Sequence, residues 1–197
     1  MEGMLVIISG PSGSGKGTVL QQLDPGMGYA RSVSVTTRPP REGEKDNRDY
    51  FFRSEDEFVK MRQNNELLEH AVYVGHYYGT PRAYVEEMVA AGKVVVLEIE
   101  VNGALQVREK FPEAVLIFLM PPTIAECARR LANRNTEGPD IIEDRLKKAR
   151  AEIALAPRYD YVVINDEVPC AVASINTIVA SERLRPGRMR KVIENFI

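Results

Sequence analysis

A glycine-rich segment near the start of the chain has the composition of a phosphate-binding loop. It comprises Gly10, Pro11, Ser12, Gly13, Ser14, Gly15, Lys16, Gly17 and Thr18. The glycines allow backbone N–H groups to converge on phosphate oxygens, and the lysine adds a charge suited to the β- and γ-phosphates of a nucleoside triphosphate. An apolar run precedes the segment and a helical pattern follows it, so this Walker A-like spacing predicts a nucleotide-phosphate site.

One position of this loop departs from the usual pattern. Gly17 stands where a serine or threonine commonly offers a hydroxyl to Mg²⁺, and Thr18 follows one residue later. Either Thr18 supplies that hydroxyl or Mg²⁺ keeps an additional water. Because Mg²⁺ retains water ligands readily, both options are compatible with activity.

A second group of residues suited to phosphate lies further along the chain. Arg38 and Arg41 flank the pair Pro39-Pro40. A residue that precedes proline is held extended, so this segment presents its guanidinium groups from a stiff backbone. Guanidinium forks donate paired hydrogen bonds to phosphate oxygens. We therefore expect this segment to suit a phosphate dianion.

Two carboxylates, Glu98 and Glu100, directly follow an apolar run at 94–97. The carboxyl end of a strand in a parallel sheet faces the ligand crevice. Both side chains are therefore candidates for contact with Mg²⁺ or substrate, and the sequence leaves open which one takes which part.

The elements that position these residues follow from the hydrophobic pattern. Apolar, β-branched runs without alternation are typical of strands buried on both faces of a parallel sheet. They occupy 4–8, 94–97, 115–119 and 161–164, with 31–35 as a plausible fifth strand. Helical patterns fall at 17–23, 81–91, 101–111, 123–134, 140–156 and 168–184. Thr80 fits the N-cap of the second helix and Pro81 its first position. The alternation predicts an α/β domain with a central parallel sheet and flanking helices.

Two stretches interrupt that alternation. Residues 37–78 contain a polar loop, a short helical pattern and strand-like pieces such as 67–74, which predicts an inserted, mostly antiparallel lobe. Residues 133–139 lie between two helical patterns and suggest a lid.

Composition narrows the class of protein. The 197 residues fit one domain, and the net charge of −2 argues against bulk electrostatic binding to nucleic acid or to an anionic membrane. No apolar stretch approaches the length of a membrane span. The two cysteines lie far apart with no metal-ligand spacing, so we expect free thiols and a cytoplasmic protein.

Several segments together resemble the guanylate kinase family, from the phosphate loop to about residue 182. They are the segment 34–44, Asp-Tyr-Phe-Phe at 49–52, Leu-Glu-His-Ala at 68–71, Tyr-Tyr-Gly-Thr at 77–80 and Gly-Ala-Leu-Gln-Val at 103–107. The resemblance implies a P-loop nucleoside-monophosphate-kinase fold in a single domain, 1–197. Its core would be 1–35, 80–132 and 151–185, with a GMP-binding lobe at 36–79 and a lid at 133–150.

The resemblance also implies the reaction ATP + GMP = ADP + GDP, with Mg²⁺, in purine nucleotide metabolism. dGMP is an expected second acceptor, and neither nucleic acid nor membrane is an expected partner. The residues that the resemblance assigns to GMP are Ser34, Arg38, Arg41, Tyr50, Glu69, Tyr78, Thr80, Glu98 and Glu100. On the ATP side are the loop residues 10–18, Asn165 and the lid arginine Arg134. Lys16, Arg41, Arg134 and Arg145 would be catalytic, and Thr18 or Glu98 would contact Mg²⁺.

The base-reading part of this assignment fits the chemistry of guanine. Guanine presents the N1–H and N2–H donors on one edge, which a carboxylate such as Glu69 can accept, whereas adenine does not. Ser34 and Thr80 match hydroxyls that contact guanine O6. The family usually has aspartate where this chain has Glu98 and Glu100, so each side chain here is one methylene longer.

Three alternatives remain open on the sequence. A related kinase could act on another nucleoside monophosphate, although Glu69 and the segment 34–44 do not suit AMP. A ribose bisphosphate kinase of similar architecture would not need the pair Glu69 and Thr80. A non-catalytic interaction domain of the same fold would tend to have a degraded phosphate loop, whereas the loop here is intact.

Overall fold

The computed structural model describes residues 2–23, 25–132 and 139–197, which fold around two β-sheets. Within these ranges the strands are β1 (Met4–Ser9), β2 (Tyr29–Arg31), β3 (Val35–Thr36), β4 (Phe51–Phe52), β5 (Leu67–Tyr73), β6 (His76–Pro81), β7 (Val94–Glu98), β8 (Val115–Met120) and β9 (Tyr161–Ile164). The helices are α1 (Lys16–Gln21), α2 (Glu55–Gln63), α3 (Arg82–Ala90), α4 (Val101–Lys110), α5 (Ile124–Ala132), α6 (Pro139–Ile153), α7 (Val168–Glu182) and α8 (Arg190–Glu194).

The first sheet is the core of the molecule. Its strand order is β2-β7-β1-β8-β9, and every neighbouring pair is parallel. Helices α1 and α7 cover one face, and α3 and α4 cover the other. All six residues of β1 are buried, as expected for a central strand that is covered on both faces. The prediction of a parallel α/β core is confirmed.

The second sheet forms the lobe inserted between β2 and α3. Its order is β4-β3-β6-β5, in which β3 and β4 are parallel and the other pairs are antiparallel. Helix α2 begins with a reciprocal capping box between Ser54 and Glu57. It buries Phe58, which stacks on Tyr77 with 5.2 Å between ring centroids. This small core holds the lobe together.

Two local predictions are wrong. The expected strand at 31–35 is divided: Arg31 pairs with Val96 of the core sheet, whereas Val35 pairs with Gly79 of the lobe. The chain leaves one sheet and enters the other within this run. Thr80 is not the N-cap of α3. It lies inside β6, and its hydroxyl is hydrogen-bonded to Glu69 rather than to a helix N–H.

Among the described residues, none of the helices combines the length and the apolar character that crossing a bilayer requires.

Candidate active site

The phosphate loop connects the carboxyl end of β1 to the start of α1. Gly10, Gly13 and Gly15 have φ angles of 147°, 83° and 83°. These values lie in the region that residues with a Cβ rarely adopt, which is the physical reason for glycine at these positions. The Ser14 N–H donates to the Pro11 carbonyl at 3.2 Å and closes the turn. The loop therefore has the curled form in which its N–H groups can surround an anion.

Lys16 bonds to the loop itself. Its Nζ donates to the carbonyl oxygens of Gly10 at 2.6 Å and Pro11 at 3.2 Å, and to the Ser14 hydroxyl at 3.4 Å. These contacts keep the ammonium group over the cavity that the loop encloses. The ammonium charge thus lies at the wall of this cavity.

The cavity above the loop has a volume of about 660 Å³. Its floor is formed by residues 10–17, and helix α6 contributes one wall through Arg145, Lys148 and Glu152. The predicted residues Glu98 and Glu100 also line this cavity, and Glu100 Oε2 lies 3.4 Å from Lys148 Nζ. Thr18 is exposed and does not line this cavity. Arg134 lies outside the described residues.

A second cavity, of about 510 Å³, adjoins the first. Six of the residues predicted for GMP line it: Ser34, Tyr50, Glu69, Tyr78, Glu98 and Glu100. A seventh, Thr80, is hydrogen-bonded to Glu69. The two cavities share a common wall made of Tyr50, Tyr73, Glu98, Ile99 and Glu100. A molecule in one cavity therefore lies next to a molecule in the other.

Glu69 is the buried anion of the second cavity. Only 5% of the residue is exposed, and its Oε1 accepts a hydrogen bond from the Thr80 hydroxyl at 2.7 Å. A Cβ on Gly103 would lie 3.0 Å from Glu69 Oε2, so the glycine at this point of α4 leaves room for the carboxylate. Burial raises the pKa of Glu69, and the nearby Glu100 adds to the effect, while the Thr80 bond and Lys110 oppose it.

This geometry changes the expectation for Thr80. A hydroxyl has one hydrogen, and that of Thr80 is directed to Glu69. Thr80 therefore positions the carboxylate and, in this arrangement, has no hydrogen left for guanine O6. Ser34 lines the same cavity and stays available as an O6 donor.

The strand that carries Glu69 is fastened to the core next to that residue. The side-chain amide of Gln106, on α4, accepts from the His70 N–H and donates to the His70 carbonyl, both at 3.2 Å. These two bonds satisfy the His70 backbone as a neighbouring strand would. They also fix the position of the adjacent Glu69 relative to α4. The motif 103–107 thus supplies both the space beside Glu69 and the anchor of its strand.

The arginine pair is held by a carboxylate of the same loop. The Nη2 of Arg38 donates to both oxygens of Glu44, at 2.8 and 2.9 Å, and the guanidinium stands 5.5 Å from the ring centroid of Tyr50. The bond from Arg38 holds the pKa of Glu44 below its usual range, helped by the Arg41 backbone N–H. Arg41 is exposed, and its guanidinium donates no hydrogen bond within the described ranges.

Gly17 faces the carboxylate of Glu98. A Cβ built on Gly17 would lie 3.8 Å from Glu98 Oε1, which is the nearest described atom outside the adjoining part of the chain. The oxygen of Glu98 thus reaches the space beside the position where the usual loop carries a hydroxyl. A carboxylate oxygen is a ligand that Mg²⁺ prefers, so the residues present fit this ion.

Four residues near the site were not predicted. Tyr73, Lys148 and Glu152 line the first cavity, and Cys127 contacts the phosphate loop from behind. The spacing 145, 148 and 152 places three side chains on one face of a helix, and this signal could have identified two of them. No local pattern marks Cys127 or Tyr73.

Comparison with known proteins decides the family. The model of the guanylate kinase family matches residues 2–182. The chain belongs to the guanylate kinase family. A guanylate kinase of Bacillus subtilis (strain 168) is 52% identical over 189 residues, which cover 95% of this chain and 93% of that protein. A guanylate kinase of Streptococcus thermophilus (strain CNRZ 1066) is 48% identical over 197 residues, covering 99% and 94%.

Solved structures agree with the family. The crystal structure of guanylate kinase from Anaplasma phagocytophilum has a TM-score of 0.73 at 33% identity, covering 98% of this chain and 95% of that one. The crystal structure of TT1252 from Thermus thermophilus has a TM-score of 0.53 at 16% identity, which indicates a shared fold only. The guanylate kinase fold therefore extends over nearly the whole chain.

Proposed function

We propose that this protein transfers the γ-phosphoryl group of ATP to GMP and so forms ADP and GDP. The observation that carries the proposal is the common wall of the two cavities. One cavity contains the phosphate loop and the other contains the buried carboxylate Glu69, and both include Tyr50 and Glu98. Donor and acceptor phosphates can therefore meet without leaving their sites.

On the acceptor side, Glu69 accepts the N1–H and N2–H of guanine, with Thr80 fixing its orientation. Adenine would place an acceptor at N1 against the same carboxylate, and the loss of hydrogen bonds at a buried site disfavours it strongly. Ser34 donates to O6. Arg38, Arg41, Tyr50 and Tyr78 bind the phosphate of GMP, which displaces or shares the Glu44 contact of Arg38.

In the transfer step, an oxygen of the GMP phosphate forms a bond to the γ-phosphorus as the bond to the β-phosphate oxygen of ADP breaks. Little covalent chemistry is required of the protein, so its residues act by position and charge. Lys16 and the loop N–H groups hold the β- and γ-phosphates. Arg145, with Arg134 from the lid, neutralises the charge on the transferring group.

We propose Mg²⁺ as the cofactor, which when bound would supply positive charge beside the donor phosphates. Glu98 is the residue of this chain that would hold it, directly or through water. The Glu98 oxygen beside Gly17 supports this assignment, and Thr18, being outside the cavity, does not compete for the role.

We further propose the division into a core, a lobe at 36–79 and a lid at 133–150 that close around the substrates, and an enzyme that works in the cytoplasm. None of the residues assigned to GMP is assigned to its ribose 2′-hydroxyl, so dGMP should also be accepted. The free thiols Cys127 and Cys170 suit a reducing compartment.

The test is a coupled assay of ADP formation with GMP, dGMP, AMP, CMP, UMP and ribose 1,5-bisphosphate offered separately. We expect turnover with GMP and dGMP and little with the others. Lys16→Ala should reduce turnover by at least about 1,000-fold. Lys191→Ala, on exposed helix α8, is the matched control and should retain full activity.

Turnover with AMP equal to that with GMP would overturn the assignment of Glu69 as the base-reading residue. No turnover with any acceptor would overturn the enzymatic function, and a binding role of the same fold would take its place.

A further inference from the structure

We propose that Asn165 and Cys127 are positioning residues that orient the peptide groups of the phosphate loop from behind, so that the loop is preformed for the donor phosphates. The inference deepens the proposed function and rests on it only for the identity of the donor as a nucleoside triphosphate. Neither side chain needs to touch the nucleotide for this role.

Asn165 directly follows β9 and is 2% exposed. Its Nδ2 donates to the carbonyl oxygen of Ser14 at 2.7 Å. Only the nitrogen end of the amide can bond to a carbonyl, so this contact determines which way the amide is turned. Its Oδ1 is buried without a hydrogen-bond partner among the described residues. Because only 2% of the residue is exposed, its contacts in this structure are with the protein rather than with an open nucleotide site.

The position of the Ser14 carbonyl sets the direction of the next N–H. In a planar trans peptide the C=O and the following N–H point in opposite directions. By drawing the Ser14 carbonyl to the rear of the loop, Asn165 turns the Gly15 N–H away from itself and towards the cavity side. The bond thus acts on a group that would bind phosphate.

Gly15 provides independent support for this packing. A Cβ at this position would lie 2.5 Å from Nδ2 of Asn165, which is closer than van der Waals contact allows. Gly15 therefore has two reasons to be glycine: its φ of 83° and the amide that occupies the space behind it. The loop and Asn165 are fitted to one another.

Cys127 makes the equivalent contact two peptides earlier. It lies on α5, is fully buried, and its Sγ donates to the carbonyl oxygen of Ser12 at 3.2 Å. Burial raises the pKa of this thiol, so it stays protonated and keeps its donor. A Cβ on Gly13 would stand 3.3 Å from this sulfur. The Ser12 carbonyl is held to the rear, and the Gly13 N–H is turned the opposite way.

A third side chain joins the two supports. Arg130 of α5 donates from Nη2 to the backbone carbonyl of Asn165 at 2.9 Å and from Nε to Glu126 at 2.6 Å. Bonds from Arg129 and Arg130 lower the pKa of Glu126 to about 2, so this connection persists at every working pH. Helix α5 and the end of β9 therefore form one brace behind the loop.

The experiment separates this role from direct contact with ATP, which the family resemblance implies for Asn165. Calorimetry measures binding of ATP, GTP and inorganic tripolyphosphate, each with Mg²⁺ and without any acceptor. For Asn165→Ala we expect all three dissociation constants to rise by a similar factor, about three- to tenfold, as for the loss of one buried hydrogen bond. GMP affinity should stay unchanged.

The matched control is Asn176→Ala. Asn176, on α7, also makes a side-chain hydrogen bond between elements, accepting from the Tyr29 hydroxyl at 2.8 Å, but this bond joins α7 to β2 and does not involve the loop. This variant should leave tripolyphosphate binding at the wild-type level. An equal loss in both variants would show a general effect of destabilisation and would overturn the proposal.

Two further outcomes overturn it. Weaker ATP binding with unchanged tripolyphosphate binding would mean that Asn165 contacts the base. Unchanged binding of all three ligands would mean that the brace does not matter. If Asn165→Ala does not fold, variants of Cys127 provide the test. Cys127→Ala should weaken tripolyphosphate binding. Cys127→Ser, which retains a hydrogen-bond donor, should restore the binding at least in part.

Because tripolyphosphate contains no base and no acceptor is present, these measurements do not depend on GMP as substrate. Wild-type protein that binds tripolyphosphate but does not phosphorylate GMP would contradict the proposed function and leave the brace intact.

Discussion

The donor and acceptor regions both present groups for phosphate, yet they are held in opposite ways. The phosphate loop is supported from behind by buried side chains of the core, among them Asn165 and Cys127. The arginine segment of the lobe is held by groups of the lobe itself: Arg38 pairs with the half-buried Glu44 and stands over the ring of Tyr50. The donor site is thus preformed, whereas the phosphate end of the acceptor site can rearrange.

Within the acceptor site the same contrast recurs over a short distance. The end proposed to read the base, at Glu69 and Thr80, is buried and hydrogen-bonded, and the end proposed to bind the phosphate, at Arg41, is exposed. Discrimination between bases requires fixed, desolvated partners, because an unpaired group is costly only where water cannot replace the missing bond. Capture of a phosphate depends on charge and tolerates movement. The different degrees of burial follow these two needs.

The largest change in the preference for GMP over AMP should come from Glu69→Gln. The amide keeps the size of the side chain but replaces one accepting oxygen with a donor, which opposes the N–H groups of guanine. We expect kcat/KM for GMP to fall by about 100-fold, while the low activity with AMP changes little. Steady-state kinetics with both acceptors measure the ratio.

Glu66→Gln is the control for this change, because Glu66 is exposed and precedes the same strand. Equal losses in the two variants, or a loss for GMP below threefold, would show that burial of the carboxylate does not provide the discrimination.

A smaller effect is expected from pH. Burial raises the pKa of Glu69, so acidification protonates it earlier than an ordinary glutamate and removes an acceptor for guanine. The dissociation constant for GMP should therefore rise as the pH falls from 8 towards 5.

The comparison for this prediction is the same titration with Glu69→Gln. The phosphate of GMP also titrates near pH 6, and it does so equally for both proteins. The difference between the two profiles reports Glu69 alone, and parallel profiles would contradict the raised pKa as the cause.

The smallest effect should follow Glu44→Gln. The pair of Arg38 and Glu44 is only partly shielded from water, and such pairs contribute little. We expect KM for GMP to change by at most about threefold, with KM for ATP unaffected. Glu42→Gln, on the same loop, is the control. A loss as large as that of Glu69→Gln would remove the distinction between the two ends of the acceptor site.

Much of the fold could be predicted from local patterns. The apolar runs identified the core strands, and the glycine spacing identified the phosphate loop, because both features act through neighbouring residues in the chain. The run at 31–35 was misjudged for the opposite reason. Its pattern suits a strand throughout, and only the two sheets on either side show where the chain passes from one to the other.

The residues that position the site were harder to predict from the sequence than the residues that line it. Cys127 stands 115 positions from Ser12 in the sequence, and its contact depends on how α5 packs behind the loop. Thr80 was expected as a helix cap, yet its hydroxyl orients Glu69. In each case the residue type indicated that the side chain can donate a hydrogen bond. Its partner depends on tertiary packing, which the spacing of residues in the sequence does not predict.

The burial of Glu69 also has a consequence for the empty protein. A carboxyl whose pKa is higher in the folded state favours folding below its unfolded pKa, and this contribution is lost as the pH rises through the folded value. At any pH above the folded pKa, the unliganded chain therefore carries an ionised Glu69 whose burial lowers the stability of the fold. A search for thermostable variants of this protein would favour neutral replacements at Glu69, and it would collect proteins that no longer distinguish guanine from adenine.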